Sequence, residues 1–301
     1  MRKSDVVQHA GTSIRDRSVI LRRQVKMALP PQLRRRLRFA ADRAVGLVTP
    51  GIPPPQVRRV ISPTWLDFRR SGSDQVEFLV ESAGLRPKDQ VLDIACGCGR
   101  VALPLSRYLT EGGYEGFDID RSSIEWCQGH IHRDHPNFRF SLVSVAANSS
   151  AAGDTGQPAA EFRFPYPGKS FDLVFAGSIF THLLPDGSTN YLDEVVRVLD
   201  RDGRFVATWL LFNADAERGV PGRSLANLWP HDHDTYRVKD EDHPELSVIY
   251  AERQIRDWYA ERGLKIAEPI RVDATYCPAR IPADRAEGMH LYYAHCIVAA
   301  R

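Results

Sequence analysis

The stretch that most constrains this chain is Val91-Leu-Asp-Ile-Ala-Cys-Gly-Cys-Gly-Arg100. Val91, Leu92, Ile94 and Ala95 are apolar or small, which suits a strand buried on both faces of a parallel sheet; Asp93 interrupts the run near its end. Gly97 and Gly99 follow at alternate positions, and Val101-Ala-Leu-Pro-Leu-Ser-Arg-Tyr-Leu109 resumes with helical spacing. The order is strand, glycine turn, helix. Glycines let the backbone turn sharply and let a ligand approach where a side chain would collide. Beyond the turn, Tyr114-Glu-Gly-Phe-Asp118-Ile-Asp120 reads as a second strand ending in an acid, at the spacing where a carboxylate accepts hydrogen bonds from a ribose. Together the two segments predict an adenosine-type ligand.

An acid two residues before Ala95, with Ala95, Gly97 and Gly99 in alternation, resembles motif I of the class I S-adenosylmethionine-dependent methyltransferases. The match runs from Leu92 to Arg100 with one departure: Ala95 stands where the family carries its first glycine, which narrows the room beside the cofactor. The resemblance implies an α/β fold, a Rossmann-like seven-stranded methyltransferase sheet flanked by helices with an antiparallel last strand. It also implies S-adenosyl-L-methionine as cofactor. On that resemblance the cofactor contacts fall on Asp93, Ala95, Cys96, Gly97 and Gly99 in the turn, on Asp118 at the ribose and on Ile119 against the adenine ring. They continue at the end of the third strand, Ser144 and Val145, where the family carries an Asp for the adenine amino group; a serine hydroxyl accepts that bond without charge assistance. Gly177 and Ser178, at the rim after the fourth strand, complete the set.

In chain order, residues 1–60 hold fourteen Arg and Lys against three Asp, so with a net charge of +2 the remainder is net acidic. Within this extension, Leu33, Leu37, Ala40, Ala44 and Leu47 fall near one helical face with arginines opposite. Such a basic amphipathic helix either lies on an anionic membrane, as a peripheral contact, or covers the domain and leaves its arginines in water. No 18-residue apolar run is present, and the first apolar residues are too scattered for a signal peptide. A proline-rich joint, Thr49–Pro55, leads to the main domain, placed at 61–301. There Trp65 and Phe68 are candidates either to cap the cofactor or to fill the core. Five cysteines, odd in number and irregularly spaced, suit a reduced, cytoplasmic protein, and Cys96 and Cys98 read as small turn residues rather than metal ligands.

Asp120 or Ser122 is available to cap a helix over Arg121–His130, and Asn137–Val145 reads as the third strand. Residues 146–160 are small and polar without periodicity, a surface loop. The run Phe171-Asp-Leu-Val-Phe-Ala-Gly-Ser178 is similar to the family's fourth strand, Asn190–Leu199 is an amphipathic helix, and a turn at Asp202-Gly203 feeds a fifth strand over Arg204–Asn213. Residues 214–248 exceed what this core needs. An insertion there sits at the carboxyl edge of the sheet, so it is expected to act as a substrate lid. A helix over Glu252–Gly263 and two closing strands complete the chain.

Methyl transfer from a sulfonium is an in-line displacement, so the protein chiefly aligns the reactants, an effect worth about 7–11 kcal/mol. For an oxygen acceptor a base must also remove the hydroxyl proton. His182 is the first candidate, His231 and His233 the second, and Asp186 the third. His231, Asp232 and His233 are also a candidate divalent-metal set for Mg2+, with a solvated loop as the competing reading. The expected acceptor is a small-molecule or glycan hydroxyl, on the resemblance to a bacterial subgroup of O-methyltransferases. A natural product or lipid, or a cofactor-binding scaffold without catalysis, are the alternatives. The core lacks an amine-methylating Asn-Pro-Pro-Tyr motif and a basic cluster in the cleft-forming segments, so no nucleic acid is expected as partner.

Overall fold

In the computed structural model the described residues are 51–54, 56–58, 65–146, 156–213, 225–273 and 294–301, without the side chains of 65–67, 225–226, 272–273 and 294. The chain divides into two compact units, Met1–Pro54 and Pro55–Arg301. The basic amphipathic stretch at 32–48 lies outside the described residues.

In the second unit the first described helix is α1 (Trp65–Ala83), which precedes the first strand. Next come β1 (Gln90–Ile94), the one-turn helix α2 (Ala102–Leu105), β2 (Gly113–Asp118), α3 (Arg121–Cys127) and β3 (Phe138–Leu142). Two short strands, β4 (Val145–Ala146) and β5 (Gln157–Pro158), pair beside them. The chain continues with β6 (Phe171–Ala176), α4 (Pro185–Val198), β7 (Leu199–Phe212), α5 (Leu225–Leu228), β8 (His231–Asp232), β9 (Tyr236–Val238) and β10 (Val248–Ala251). It closes with α6 (Glu252–Glu261), β11 (Lys265–Ile266), β12 (Arg271–Asp273) and β13 (Ala294–Ala300).

The strands β3, β2, β1, β6 and β7 lie side by side, all parallel. β13 runs antiparallel along β7, and β11 and β12 pair antiparallel with its other edge. This is the expected mixed α/β sheet with its last strand reversed. Among the described residues it holds eleven strands rather than seven. The sixth position is split into β11 and β12, and the segment after β7 contributes β8, β9 and β10, of which β8 and β9 lie within 214–248 and β10 starts at its last residue. The last two residues of β7 pair in parallel with Tyr250 and Ala251 of β10, β9 pairs antiparallel with β10, and β8 with β9. The insertion therefore prolongs the sheet past its carboxyl edge.

Alternation along the strands sends neighbours to opposite faces. Leu92, Ile94, Val174, Phe205 and Ala207 join a cluster that includes Leu192 and Val195 of α4 and Ile255 and Tyr259 of α6. Val91, Leu173, Phe175 and Val206 join Leu79 of α1, Leu105 of α2 and Ile124 of α3. Both faces are covered, as a sheet with near-continuous apolar strands requires.

Three local expectations change. The helix expected over Val101–Leu109 shrinks to α2, past which the Arg107 and Tyr108 N–H groups bond the carbonyls three residues back, Pro104 and Leu105, in a tighter turn. The helix over Arg121–His130 turns into a π-turn at Gln128–His132. The turn expected at Asp202-Gly203 lies inside β7 as a bulge: β6 advances from Phe171 to Leu173 while β7 advances from Leu199 to Arg204.

Candidate functional site

The carboxyl ends of the parallel strands gather the residues singled out in the sequence. β1 ends at Ile94, and the turn that follows takes left-handed backbone at Ala95 (φ 60°), Gly97 (φ 53°) and Gly99 (φ 76°). For an L-residue this conformation costs about 1–2 kcal/mol, so alanine at 95 stores strain that glycine would not. Gly99 is needed for a second reason: a Cβ there would stand 2.6 Å from Ile131 Cδ1 and 3.1 Å from Cys127 Sγ. The turn is tied to β2 where the Cys96 N–H donates to the Phe117 carbonyl at 3.1 Å.

Asp118, the last residue of β2, closes onto this turn. Its Oδ2 accepts the Gly97 N–H at 2.7 Å and its Oδ1 accepts the Asp120 N–H at 2.8 Å. Burial pushes its carboxyl above the ordinary range, against the pull of these two backbone donors. Both oxygens keep lone pairs for a ligand hydroxyl, since a carboxylate offers about four acceptor sites. Asp120 then caps α3, accepting from the Ser122 N–H at 3.3 Å, as one of the two expected caps.

The adjoining rim carries exposed apolar residues. Among the described residues the large hydrophobics left exposed are Ile119 at 60%, Leu142 at 37% and Leu246 at 58%. Ile119 follows β2, Leu142 ends β3, and Leu246 belongs to the insertion. Past β3, the Val143 N–H donates to the Asp118 carbonyl at 3.0 Å, which brings exposed Ser144 and half-buried Val145 near the acid. The Ser144 carbonyl is engaged by the Gln157 N–H at 3.0 Å.

On the other side of β1, β6 is followed by half-buried Gly177 and Ser178. Ser178 is left-handed (φ 76°), held by its N–H bonding Thr208 Oγ1 at 2.7 Å and by the Thr181 hydroxyl donating to its carbonyl at 2.7 Å. Exposed His182 follows. Its Nδ1 lies 2.8 Å from the Glu245 carbonyl oxygen, which only accepts, so Nδ1 carries the proton and the neutral ring has Nε2 as its basic nitrogen. This bond joins the rim after β6 to the insertion. Tyr250 strengthens the junction from inside: its hydroxyl donates to the Leu183 carbonyl at 2.7 Å. Trp229 and Ile249 pack with Phe212 as a small apolar cluster.

Several expected site residues stand elsewhere. Asp93 is buried at 3% exposure beneath the turn, where Tyr114 Oη donates to its Oδ2 at 2.6 Å. Burial pushes its carboxyl up to about 7, opposed by that hydrogen bond and by the Arg100 charge. It supports the turn from below. Cys96 is likewise buried, with its thiol 3.7 Å from the Gly97 carbonyl. Phe68 has no exposed surface and is a core aromatic, not a cap over an open ligand. The side chain of Trp65 lies outside the described residues.

The metal expectation fails. Among the described residues no group of three or more His, Cys, Asp or Glu gathers. His231 Nδ1 stands 3.4 Å from Glu241 Oε1, Asp232 pairs with Arg237 at 2.6 Å, and His233 stacks on Tyr236 with centroids 4.6 Å apart. The hairpin engages each of these side chains with a different partner, so they do not converge on one ion. Asp186, the third candidate base, lies exposed in the first turn of α4.

Sequence reasoning missed Gly116, Thr208, Glu245 and Tyr250. A Cβ on Gly116 would stand 2.9 Å from Cys96 Cβ and Sγ, so this glycine lets β2 pack beside the turn. Thr208 was visible as a hydroxyl inside an otherwise apolar strand. Glu245 and Tyr250 carry no such local mark.

Residues 91–203, less than half of the chain, match a family model described as a methyltransferase domain. A curated relative from Haemophilus influenzae, an uncharacterized protein, is 25% identical over 137 residues, which cover 45% of this chain; the chain spans about half the length of that relative, 48%. Among solved structures, a SAM-dependent methyltransferase from Aquifex aeolicus aligns over 82% of this chain and 98% of its own at 16% identity, TM-score 0.47. A 1,6-didemethyltoxoflavin-N1-methyltransferase from Burkholderia thailandensis aligns over 78% of each chain at 15% identity, TM-score 0.48. Magnesium protoporphyrin IX methyltransferase from Synechocystis aligns over 78% of this chain and 84% of its own at 16% identity, TM-score 0.48.

Proposed function

We propose that the chain is an S-adenosylmethionine-dependent methyltransferase acting on a hydroxyl of a small molecule, a sugar or glycan-like acceptor. The observation that carries this reading is the Asp118 carboxylate held against the Gly97 amide at the carboxyl ends of β1 and β2, within the segment that matches a methyltransferase domain. The residues present fit the cofactor. Asp118 would take the ribose hydroxyls, Ile119 the adenine ring, and the Ser144 hydroxyl and Val145 the adenine edge, while the turn at Ala95, Gly97 and Gly99 and the rim at Gly177 and Ser178 leave the backbone approachable. When bound, this cofactor supplies a methyl group already activated by its sulfonium.

The chain's own contribution is then alignment and proton removal. His182 is assigned the base. The Glu245 carbonyl fixes its tautomer with the proton on Nδ1, so Nε2 is the nitrogen that would accept a proton from an acceptor hydroxyl. The insertion forms the acceptor wall, held in place by the His182 and Tyr250 bonds. A second acceptor class has its own support: exposed Leu246, next to Glu245, suits an apolar natural product better than a sugar.

Calorimetric titration with S-adenosylmethionine and S-adenosylhomocysteine, followed by a screen of sugar, glycan and apolar hydroxyl acceptors, tests both parts. Micromolar binding, with S-adenosylhomocysteine formed from S-adenosylmethionine as an acceptor is methylated, is the expected result. Absence of binding by either ligand overturns the methyltransferase reading, and turnover restricted to amine acceptors overturns the oxygen assignment.

A further inference from the structure

On the outer side of the glycine turn, α1 and α2 enclose a cavity of about 160 Å³ that the methyl-transfer reading does not use. Arg69 and Ser73, four residues apart, line its α1 wall. Arg100 and Arg107, seven apart, line the opposite wall. Buried Phe68 also contributes to the lining. Gly72 sets the width: a Cβ there would stand 2.2 Å from the Arg100 carbonyl oxygen and 3.4 Å from Arg100 Cγ. The glycine thus lets α1 press directly on the end of the turn, and the Arg100 stem lies along the helix.

The lining carries three arginines and no carboxylate, while the Arg100 charge also acts on the buried Asp93 beneath the turn. Like charges around one small cavity repel one another, at a cost that an anion between them removes. Arg70, the neighbour of Arg69, reaches Asp74 at 3.9 Å, and Arg86 reaches Asp89 at 2.9 Å. By contrast, among the described residues no carboxylate lies within 4.0 Å of Arg69 or Arg107. Glu77 and Glu81 line the adjoining cavity beside Arg107 but stay beyond that distance. Guanidinium groups present forked N–H donors that match the oxygens of phosphate and carboxylate.

We propose that the cavity between α1 and α2 is a binding site for a small oxyanion, a phosphate or carboxylate group, held by Arg69, Arg100 and Arg107 with the Ser73 hydroxyl as a further donor. The anionic group has two possible sources, a second ligand such as a phosphorylated acceptor or the carboxylate end of the cofactor, whose turn Arg100 completes. The binding itself does not depend on the methyl-transfer reading.

The test is calorimetric titration of the full chain with pyrophosphate at fixed ionic strength, alone and with saturating S-adenosylhomocysteine. The comparison is with the double variant Arg69→Gln, Arg107→Gln, whose fold is checked by circular dichroism and thermal melting. Both side chains are exposed, so the variant is expected to melt as the parent does. Pyrophosphate should bind the parent and weaken by at least ~10-fold in the variant. The double variant Arg69→Lys, Arg107→Lys should fall between, since lysine keeps the charge and loses the fork. If S-adenosylhomocysteine displaces pyrophosphate and itself binds the Gln variant more weakly, the anion is the cofactor's carboxylate. If both bind together, the site serves a second ligand. No pyrophosphate binding by the parent, or equal binding by parent and Gln variant, overturns the proposal. Intact S-adenosylhomocysteine binding in that case leaves the methyltransferase reading standing.

Discussion

The rim at β1 and β2 and the rim at β6 are built by different means. The first is made from one short stretch and its neighbouring strand: three left-handed residues in the turn, a carboxylate from β2 accepting one of its amides, and a buried acid beneath it. The second is made from segments far apart in sequence. His182 meets a carbonyl 63 positions away, and Tyr250 meets one 67 positions away. The first rim is therefore fixed by local backbone geometry, whereas the second exists only if the insertion prolongs β7 with β10. Under the proposed function this separates cofactor binding from acceptor chemistry, so substitutions on the two rims should divide between affinity and rate.

The largest effect is expected on the second rim. His182→Gln should lower kcat by roughly 10²–10⁴, the usual contribution of a positioned base, with S-adenosylhomocysteine affinity changed less than about 2-fold. Steady-state kinetics beside calorimetry decides it, and a shared loss in both would erase the division. Replacing His231 and His233 together with Ala should leave turnover nearly intact, because each ring is engaged by a different partner of the hairpin.

Asp118→Ala attacks the first rim. Losing the carboxylate proposed to take the ribose hydroxyls should weaken S-adenosylhomocysteine binding by about 100-fold, given ~1.5–3 kcal/mol for hydrogen bonds to a charged group. Unchanged affinity would remove Asp118 from the cofactor.

A smaller effect concerns the acid under the turn. Asp93 titrates at about 7 in the folded chain against an ordinary value of 3.8, so the folded state holds its proton more tightly than the unfolded one. Its contribution to stability is complete below the unfolded value and is lost as pH rises through the folded one. The stability of the parent against denaturant should fall by roughly 2 kcal/mol between about pH 5 and pH 7 from this group. Asp93→Asn, which does not titrate, should flatten that slope. A variant with the parent's slope would show that Asp93 is not the group responsible.

The smallest effect is a gain. Ala95→Gly relieves left-handed strain at φ 60° and should raise unfolding stability by about 0.5–1 kcal/mol, partly offset by the greater freedom of glycine in the unfolded chain. A lower denaturation midpoint would mean that the turn is not strained at this position.

Much of the first rim was legible because its signals are local. Glycines at alternate positions announce a turn that side chains cannot make, and an acid at the end of the next strand follows at fixed distance in a strand-turn-helix-strand unit. Even there, reading stopped at backbone shape. Asp93 and Cys96 have the right spacing, but only packing against Tyr114 and Gly116 turns their side chains inward. Phe68 shows the same limit, since an aromatic beside a ligand and one in the core look alike in sequence, and burial alone separates them.

By itself, then, the sequence determined the parallel α/β core, the glycine turn and the acid that closes on it, because strand periodicity, left-handed backbone and short spacing are properties of neighbouring residues. The tertiary structure decided the rest. It set β8 and β9 of the expected lid segment, with β10 after them, onto the sheet, scattered the histidine-rich segment among separate partners, and gave His182 the tautomer set by Glu245. Each of those outcomes depends on which distant carbonyl, ring or strand edge a residue meets, and that meeting is settled by packing the whole chain.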